Sequence, residues 1–191
     1  MKKNLIIVGT FVLLFGISAQ GAAIETEFKD LQTTKENWNP SGKYEFKDGK
    51  LLLLNGAVYF KRILPASFSF AGTLLIPSSK VENPRLGVDV GHSMFFEFAK
   101  GDLFCIRYQR KEDGRTAVKS TKIPDFQPDK PVVLSFTCVQ KKDSTFYPSV
   151  NLNGKEVAKN IETKKAVEGA LSFYSVNTPF DLTKVSIAPV K

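Results

Sequence analysis

Polar and apolar residues alternate along most of the chain with a period of two. Between Ser67 and Ile76, Phe68, Phe70, Leu74 and Ile76 share one side, while Ser67, Ser69 and Thr73 share the other. That alternation marks a β-strand with one buried face. It recurs in Phe96-Phe98, in Phe104-Ile106-Tyr108 and across Val132 to Val139, and the chain closes on Leu171-Phe173 and Leu182-Val185-Ile187. Turn residues interrupt the pattern at Asp48-Gly49, Asn55-Gly56, Asn83-Pro84, Lys100-Gly101-Asp102, Asp113-Gly114 and Asn153-Gly154. Asp48-Gly49 and Asn153-Gly154 are the strongest, because both central residues of a tight hairpin need positive φ, which Asp, Asn and Gly tolerate. No segment holds helical periodicity over three turns. Ala158 to Val167 is polar without an apolar stripe and reads as a loop or one short helix. Many short strands with such punctuation predict an all-β fold, a two-sheet antiparallel β-sandwich.

The first 23 residues follow another rule. Lys2 and Lys3 precede an uncharged run from Leu5 to Ile17, and small residues from Ser18 to Ala23 follow it. This is the layout of a secretory signal peptide, with cleavage after Gly21 or after Ala23. The apolar run is shorter than the ~20 residues a membrane-spanning helix needs. The expectation is an exported protein, periplasmic or extracellular, with one sandwich domain over 24–191 and no membrane span after cleavage.

Charge alters this picture little. Lys and Arg number 27 against 19 Asp and Glu, a net +8. A basic exported surface attracts a glycan or an anionic envelope polymer. The cations, however, scatter over predicted hairpins: Arg107, Arg110, Lys111 and Arg115 at one, Lys141-Lys142 at another, Lys164-Lys165 at a third. Charges placed so keep strand edges soluble. No basic groove interleaved with aromatics invites nucleic acid. One His and two Cys supply too few ligands for a zinc site, and no oxygen-rich loop suits calcium, so neither metal nor cofactor is expected.

Three stretches carry a resemblance. Phe28, Trp38 and Gly42 lead into Tyr44-Glu45-Phe46-Lys47-Asp48-Gly49-Lys50-Leu51; a central hairpin runs Val150-Asn151-Leu152-Asn153-Gly154-Lys155-Glu156-Val157. The ending runs Gly169-Ala170-Leu171-Ser172-Phe173-Tyr174-Ser175, then Phe180-Asp181-Leu182-Thr183-Lys184-Val185-Ser186-Ile187. In this order they resemble the concanavalin A-like lectin/glucanase jelly rolls, and within them the laminin-G-like modules and the 3-keto-disaccharide hydrolases. The resemblance implies two antiparallel sheets, one of them concave, with the first and last strands adjacent and sugars held on the concave sheet or its rim. The glucanases of that superfamily set several carboxylates at alternate positions of one strand. Here the middle strands carry Asp89 and Glu97 singly.

Candidate chemistry follows from these strands. Asp89 and Glu97 flank the turn Gly91-His92-Ser93, and an acid pair with a His suits proton transfer on a glycoside. Sugar binding instead needs an aromatic face beside fixed polar groups. Trp38, Tyr59 and Tyr108 are the candidate platforms, with Arg107 or Glu97 for hydroxyl contacts, while the 16 Phe belong first to a packed core. Cys105 and Cys138 sit inside strand patterns. Either they form a disulfide in an oxidising compartment or both pack as small core residues. Three readings result: a noncatalytic carbohydrate-binding or envelope-associated module; a sugar-acting hydrolase similar to the 3-keto-disaccharide hydrolases, using Asp89, His92 and Glu97; and a structural, partner-binding envelope protein.

Overall fold

The computed structural model describes residues 22–76, 85–92, 94–99, 102–141, 146–163 and 171–190. Most of the predicted leader (1–21), the Asn83-Pro84 turn and residues 164–170 lie outside the described residues. β1 (Ile24–Glu27) precedes α1 (Leu31–Asn37), the hairpin of β2 (Trp38–Lys47) and β3 (Lys50–Phe60), and β4 (Phe68–Leu75). A meander follows: β5 (Arg85–Val90), β6 (Met94–Phe98), β7 (Leu103–Gln109) and β8 (Thr116–Lys122). β9 (Pro131–Gln140), β10 (Phe146–Leu152) and β11 (Lys155–Ala158) come next, then β12 (Leu171–Val176) and β13 (Phe180–Pro189).

Every strand pairing is antiparallel, and the hydrogen-bonded order is β11-β10-β9-β4-β13-β3-β12-β5-β6-β7-β8, with β1 on β13 and β2 on β3. This one path folds into two facing layers. Phe70 of β4 meets Phe173 of β12 with ring centroids 5.7 Å apart, and Phe136 of β9 meets Phe96 of β6 at 4.8 Å. The interior between the layers holds the inward residues of both, nine of the largest being Trp38, Phe28, Phe68, Phe70, Phe96, Phe98, Phe104, Phe136 and Phe173, all fully buried. Burial of such side chains, roughly 1.5–3 kcal/mol each, is the main force holding the layers together.

β3 passes from one layer to the other, and it does so at a bulge. In β3, Leu53 pairs with Tyr44 and Asn55 with Lys43, so Leu54 has no opposite. The inward positions are Leu51 and Leu53 before this point and Val58 and Phe60 after it. An extra residue reverses which face each later side chain takes. The first half of β3 pairs with β13 and the second with β12. β13 also carries a bulge while staying paired with β4: Thr183 is left unpaired against β4, and the inward set changes from Phe180 and Leu182 to Val185 and Ile187.

This corrects one expectation. Asn55-Gly56 is no chain reversal but part of the β3 bulge, where the backbones of β2 and β3 press together. A Cβ on Gly56 would lie 2.6 Å from the Ser41 carbonyl oxygen and 2.8 Å from that of Lys43. By contrast, Asp48-Gly49 (φ 51° and 71°) and Asn153-Gly154 (φ 50° and 76°) do close the β2–β3 and β10–β11 hairpins.

A second correction is α1, which the apolar pattern did not announce. Asp30 caps it, accepting the Thr33 N–H at 2.8 Å, and the helix spans seven residues before Trp38. Its signal is local capping chemistry, because so short a helix has no room for a periodic stripe. Among the described residues no helix is long and apolar enough to cross a membrane.

Candidate functional site

On β12, β5, β6 and β7 the residues facing away from the interior form rows set by the strand register. One row runs Tyr59, Ser172, Asp89, Phe95 and Arg107; the next runs Ala57, Tyr174, Gly87, Glu97 and Cys105. Gly87 leaves a gap in the second row, and Tyr174 reaches across it. The Tyr174 hydroxyl donates to Glu97 Oε1 at 2.9 Å, two strands away. A Cβ on Gly87 would stand 3.1 Å from that hydroxyl and 2.3 Å from the Phe96 carbonyl oxygen, so only glycine lets the bridge form.

Glu97 Oε1 also accepts from Arg107 Nη2 at 3.1 Å. The Arg107 guanidinium lies over the Phe95 ring, 4.4 Å from its centroid, and its buried Nε has no hydrogen-bond partner. Ring contact and ion pair together hold Arg107 flat against the sheet. Burial, reinforced by the Glu97 carboxylate, pushes the Tyr174 phenol above the usual tyrosine range, so it stays a donor at neutral pH.

Asp89, only 8% exposed, sits one row away. Its Oδ1 accepts the His92 backbone N–H at 2.9 Å and its Oδ2 lies 2.6 Å from His92 Nδ1. Gly91 and His92 both take positive φ in this turn (64° and 54°), and the Asp89 carboxylate ties the turn down. The imidazole is otherwise open to solvent. Asp89 and Glu97 therefore lie in adjacent rows of one face and His92 at the turn beyond Asp89, but Glu97 is bonded to Tyr174 and Arg107 rather than to the other two.

Beside this network a depression of about 430 Å³ opens where β2, β3 and β12 meet. Gly42, Gly56 and Ala57 are too small to fill it; Tyr59 stands on one side and Tyr174 and Val176 on the other, with Ser41 and Asn55 at its edge. Tyr59 is 45% exposed, and the β3 bulge is the reason. Without the extra residue Tyr59 would keep the parity of Leu51 and Leu53 and point inward.

The remaining candidates lie elsewhere. Trp38 is 0% exposed, which overturns its expected role as a platform. It pairs with Phe60, packs against Phe28, Phe60 and Phe173 with centroids 5.0–5.6 Å away, and donates its indole N–H to Thr26 Oγ1 at 3.0 Å. Tyr108 packs on the interior side of β7 and lines a separate cavity of about 300 Å³ with Arg110, Lys119 and Lys159. Cys105 and Cys138 are both free, so they form no disulfide. Cys105 faces outward beside Ser120 on β8, its sulfur 3.4 Å from the Ser120 hydroxyl, whereas Cys138 points into the interior from β9. Opposite faces of different layers keep them apart. Among the described residues no group of three or more His, Cys, Asp or Glu could hold a metal ion.

Tyr174, Gly87 and Ser172 were not singled out as site residues. The usable signal was parity: Leu171 and Phe173 alternate with Ser172 and Tyr174, which places a tyrosine on the outward side of a strand.

No family model and no curated protein matches the chain. Solved structures do. The legume lectin-like domain from Entamoeba histolytica superposes with a TM-score of 0.62 at 13% identity, covering 88% of this chain and 97% of that one. The metal-free Emp46p carbohydrate recognition domain gives 0.56 at 11% identity, covering 86% and 95%. The binding domain of botulinum neurotoxin DC in complex with SialylT gives 0.55 at 10% identity; 81% of this chain covers 43% of that one. The chain shares the jelly-roll β-sandwich fold of these structures.

Proposed function

We propose that this protein is an exported, noncatalytic carbohydrate-binding module that seats an uncharged sugar ring on Tyr59. The observation that carries the reading is the exposed Tyr59 ring beside a depression floored by Gly42, Gly56 and Ala57. A tyrosine face meets the apolar side of a pyranose, and small floor residues leave room for it. Ser41 and Asn55 supply hydroxyl and amide groups at the rim. Among the described residues no charged side chain lines the depression, which favours a neutral sugar over an anionic polymer. The lectin-like fold supports the same reading, since the carbohydrate recognition domain of Emp46p shares it.

A glycan-array screen tests it. The native chain is expected to bind a restricted set of neutral glycans, and Tyr59→Ala to weaken that binding at least about tenfold, the loss of one stacking contact. Absence of any glycan signal, or an unchanged Tyr59→Ala profile, overturns the reading.

One observation favours a second reading. The Asp89–His92 contact at 2.6 Å orients an exposed imidazole as a general base would be oriented, which suits a hydrolase acting on sugars. Its test is hydrolysis of 3-keto-disaccharides by the native chain and by Asp89→Asn. Turnover that Asp89→Asn abolishes supports this reading, and no turnover by the native chain removes it.

A further inference from the structure

At the corner of the sandwich opposite in kind to the sugar depression, the loop between β3 and β4 carries Ile63 at 85% exposure, beside Leu64, which is buried. The loop is held in place. Lys61 N–H donates to the Asn37 carbonyl at 2.9 Å, the Lys61 ammonium is bonded to the Lys35 carbonyl, and Val190 N–H donates to the Ser67 carbonyl at 3.0 Å. Leu64 anchors the loop in the interior, so Ile63 is presented outward by a fixed backbone rather than left loose. Lys61 and Arg62 precede it directly, and neither has an acidic partner among the described residues.

Arg62, Ile63 and Pro65 form one wall of a groove of about 440 Å³, and Ala22, Ala23 and Ile24 form the other. The groove's acidic residue, Glu25, is already paired with Lys184 at 2.9 Å. The described chain thus begins at this same corner.

We infer that this corner docks on an anionic lipid surface, Ile63 entering the boundary between headgroups and acyl chains while Lys61 and Arg62 meet headgroup phosphates. A stable protein partner needs roughly 800 Å² of complementary surface on each side, and one projecting isoleucine with two cations is a far smaller footprint. Lipid accepts such a footprint, because apolar insertion and attraction to anionic headgroups add together and basic stems extend along the interface. The inference is independent of the sugar reading, since Tyr59 and its depression take no part.

Vesicle co-sedimentation of the full chain tests it, using phosphatidylcholine alone or in equal parts with phosphatidylglycerol. Native protein is expected to favour the anionic vesicles. Ile63→Asp should weaken that binding about tenfold or more, the loss of one inserted aliphatic side chain. Arg62→Glu should lower the anionic preference, and Tyr59→Ala should change nothing. Emission of the buried Trp38 checks that each variant is folded. Hydrogen exchange reads the loop directly: amides of 62–64 should become protected on anionic vesicles. An unprotected loop, equal binding of Ile63→Asp, or association with a soluble protein while vesicles stay unbound overturns the inference.

Discussion

Trp38 and Tyr59 stand on neighbouring strands one register step apart, yet they belong to different environments. Trp38 lies opposite Phe60 and is sealed among Phe28, Phe60 and Phe173. Tyr59 lies opposite Asn39 and stands in solvent at the edge of a depression. Side-chain identity does not separate them, since both are large aromatics with a polar tip. Parity does, and the parity of this part of β3 is set by the unpaired Leu54. One inserted residue decides which aromatic is structural and which is free to meet a ligand.

The comparison can be broken from its inner side first. Trp38→Ala should cost about 3–5 kcal/mol in a denaturant titration, through the cavity left among three rings and the orphaned Thr26 hydroxyl. A cost below about 1 kcal/mol would mean that Trp38 is not the hub of this end of the interior.

Sulfur offers the same contrast. Burial raises the interior Cys138 thiol from 9.0 to about 12, whereas Cys105 lies on the outward face. The folded state holds Cys138 neutral while the unfolded chain ionises. Its contribution is therefore complete below about pH 9 and is lost as pH rises toward 12, at about 1.4 kcal/mol per pH unit. Tyr174, also shifted upward, adds to the same alkaline loss, and Cys138→Ala should make the stability–pH curve shallower without flattening it. A thiol reagent at neutral pH should titrate one cysteine in the native protein and two after unfolding.

Gly56→Ala attacks the bulge itself. Its Cβ would meet two β2 carbonyl oxygens within 2.8 Å, so about 1–3 kcal/mol of stability should go and Tyr59 should lose its setting. Glycan binding is expected to fall along with thermal stability. Retained binding at reduced stability would show that the depression tolerates a displaced bulge.

The smallest effect on stability belongs to the outer aromatic. Tyr59→Ala should shift unfolding by no more than about 0.5 kcal/mol, because the ring is half exposed and its hydroxyl makes no hydrogen bond among the described residues. All of its effect should appear in glycan binding, which is the reverse of the Trp38 result.

Much of this architecture was legible beforehand. Phe68, Phe70, Leu74 and Ile76 alternate in sequence and are all buried, and Asp48-Gly49 and Asn153-Gly154 both close hairpins. These features are local, so a window of a few residues carries them. Asn55-Gly56 reads identically to Asn153-Gly154 in such a window and does something else, because the close approach of β2 at Ser41 and Lys43 is invisible there. The triple spacing in Leu182-Val185 was the one trace of the second bulge left in the pattern. For the site, Asp89, Glu97, Tyr59 and Arg107 do share an outward face. Tyr174 was missed because its bond to Glu97 spans 77 residues and depends on a glycine that contributes no side chain.

The alternation of side chains by itself determined that this chain forms strands, that phenylalanine fills the space between two layers, and where two of the tight hairpins fall. Those properties depend on each residue and its near neighbours, so they are written in order along the chain. Which aromatics face solvent, how two cysteines end on opposite sides of different layers, and how Tyr174, Glu97 and Arg107 meet across Gly87 were decided only by tertiary structure. Register between distant strands sets them, and a single bulge exchanges inside for outside without altering the composition of the strand that carries it.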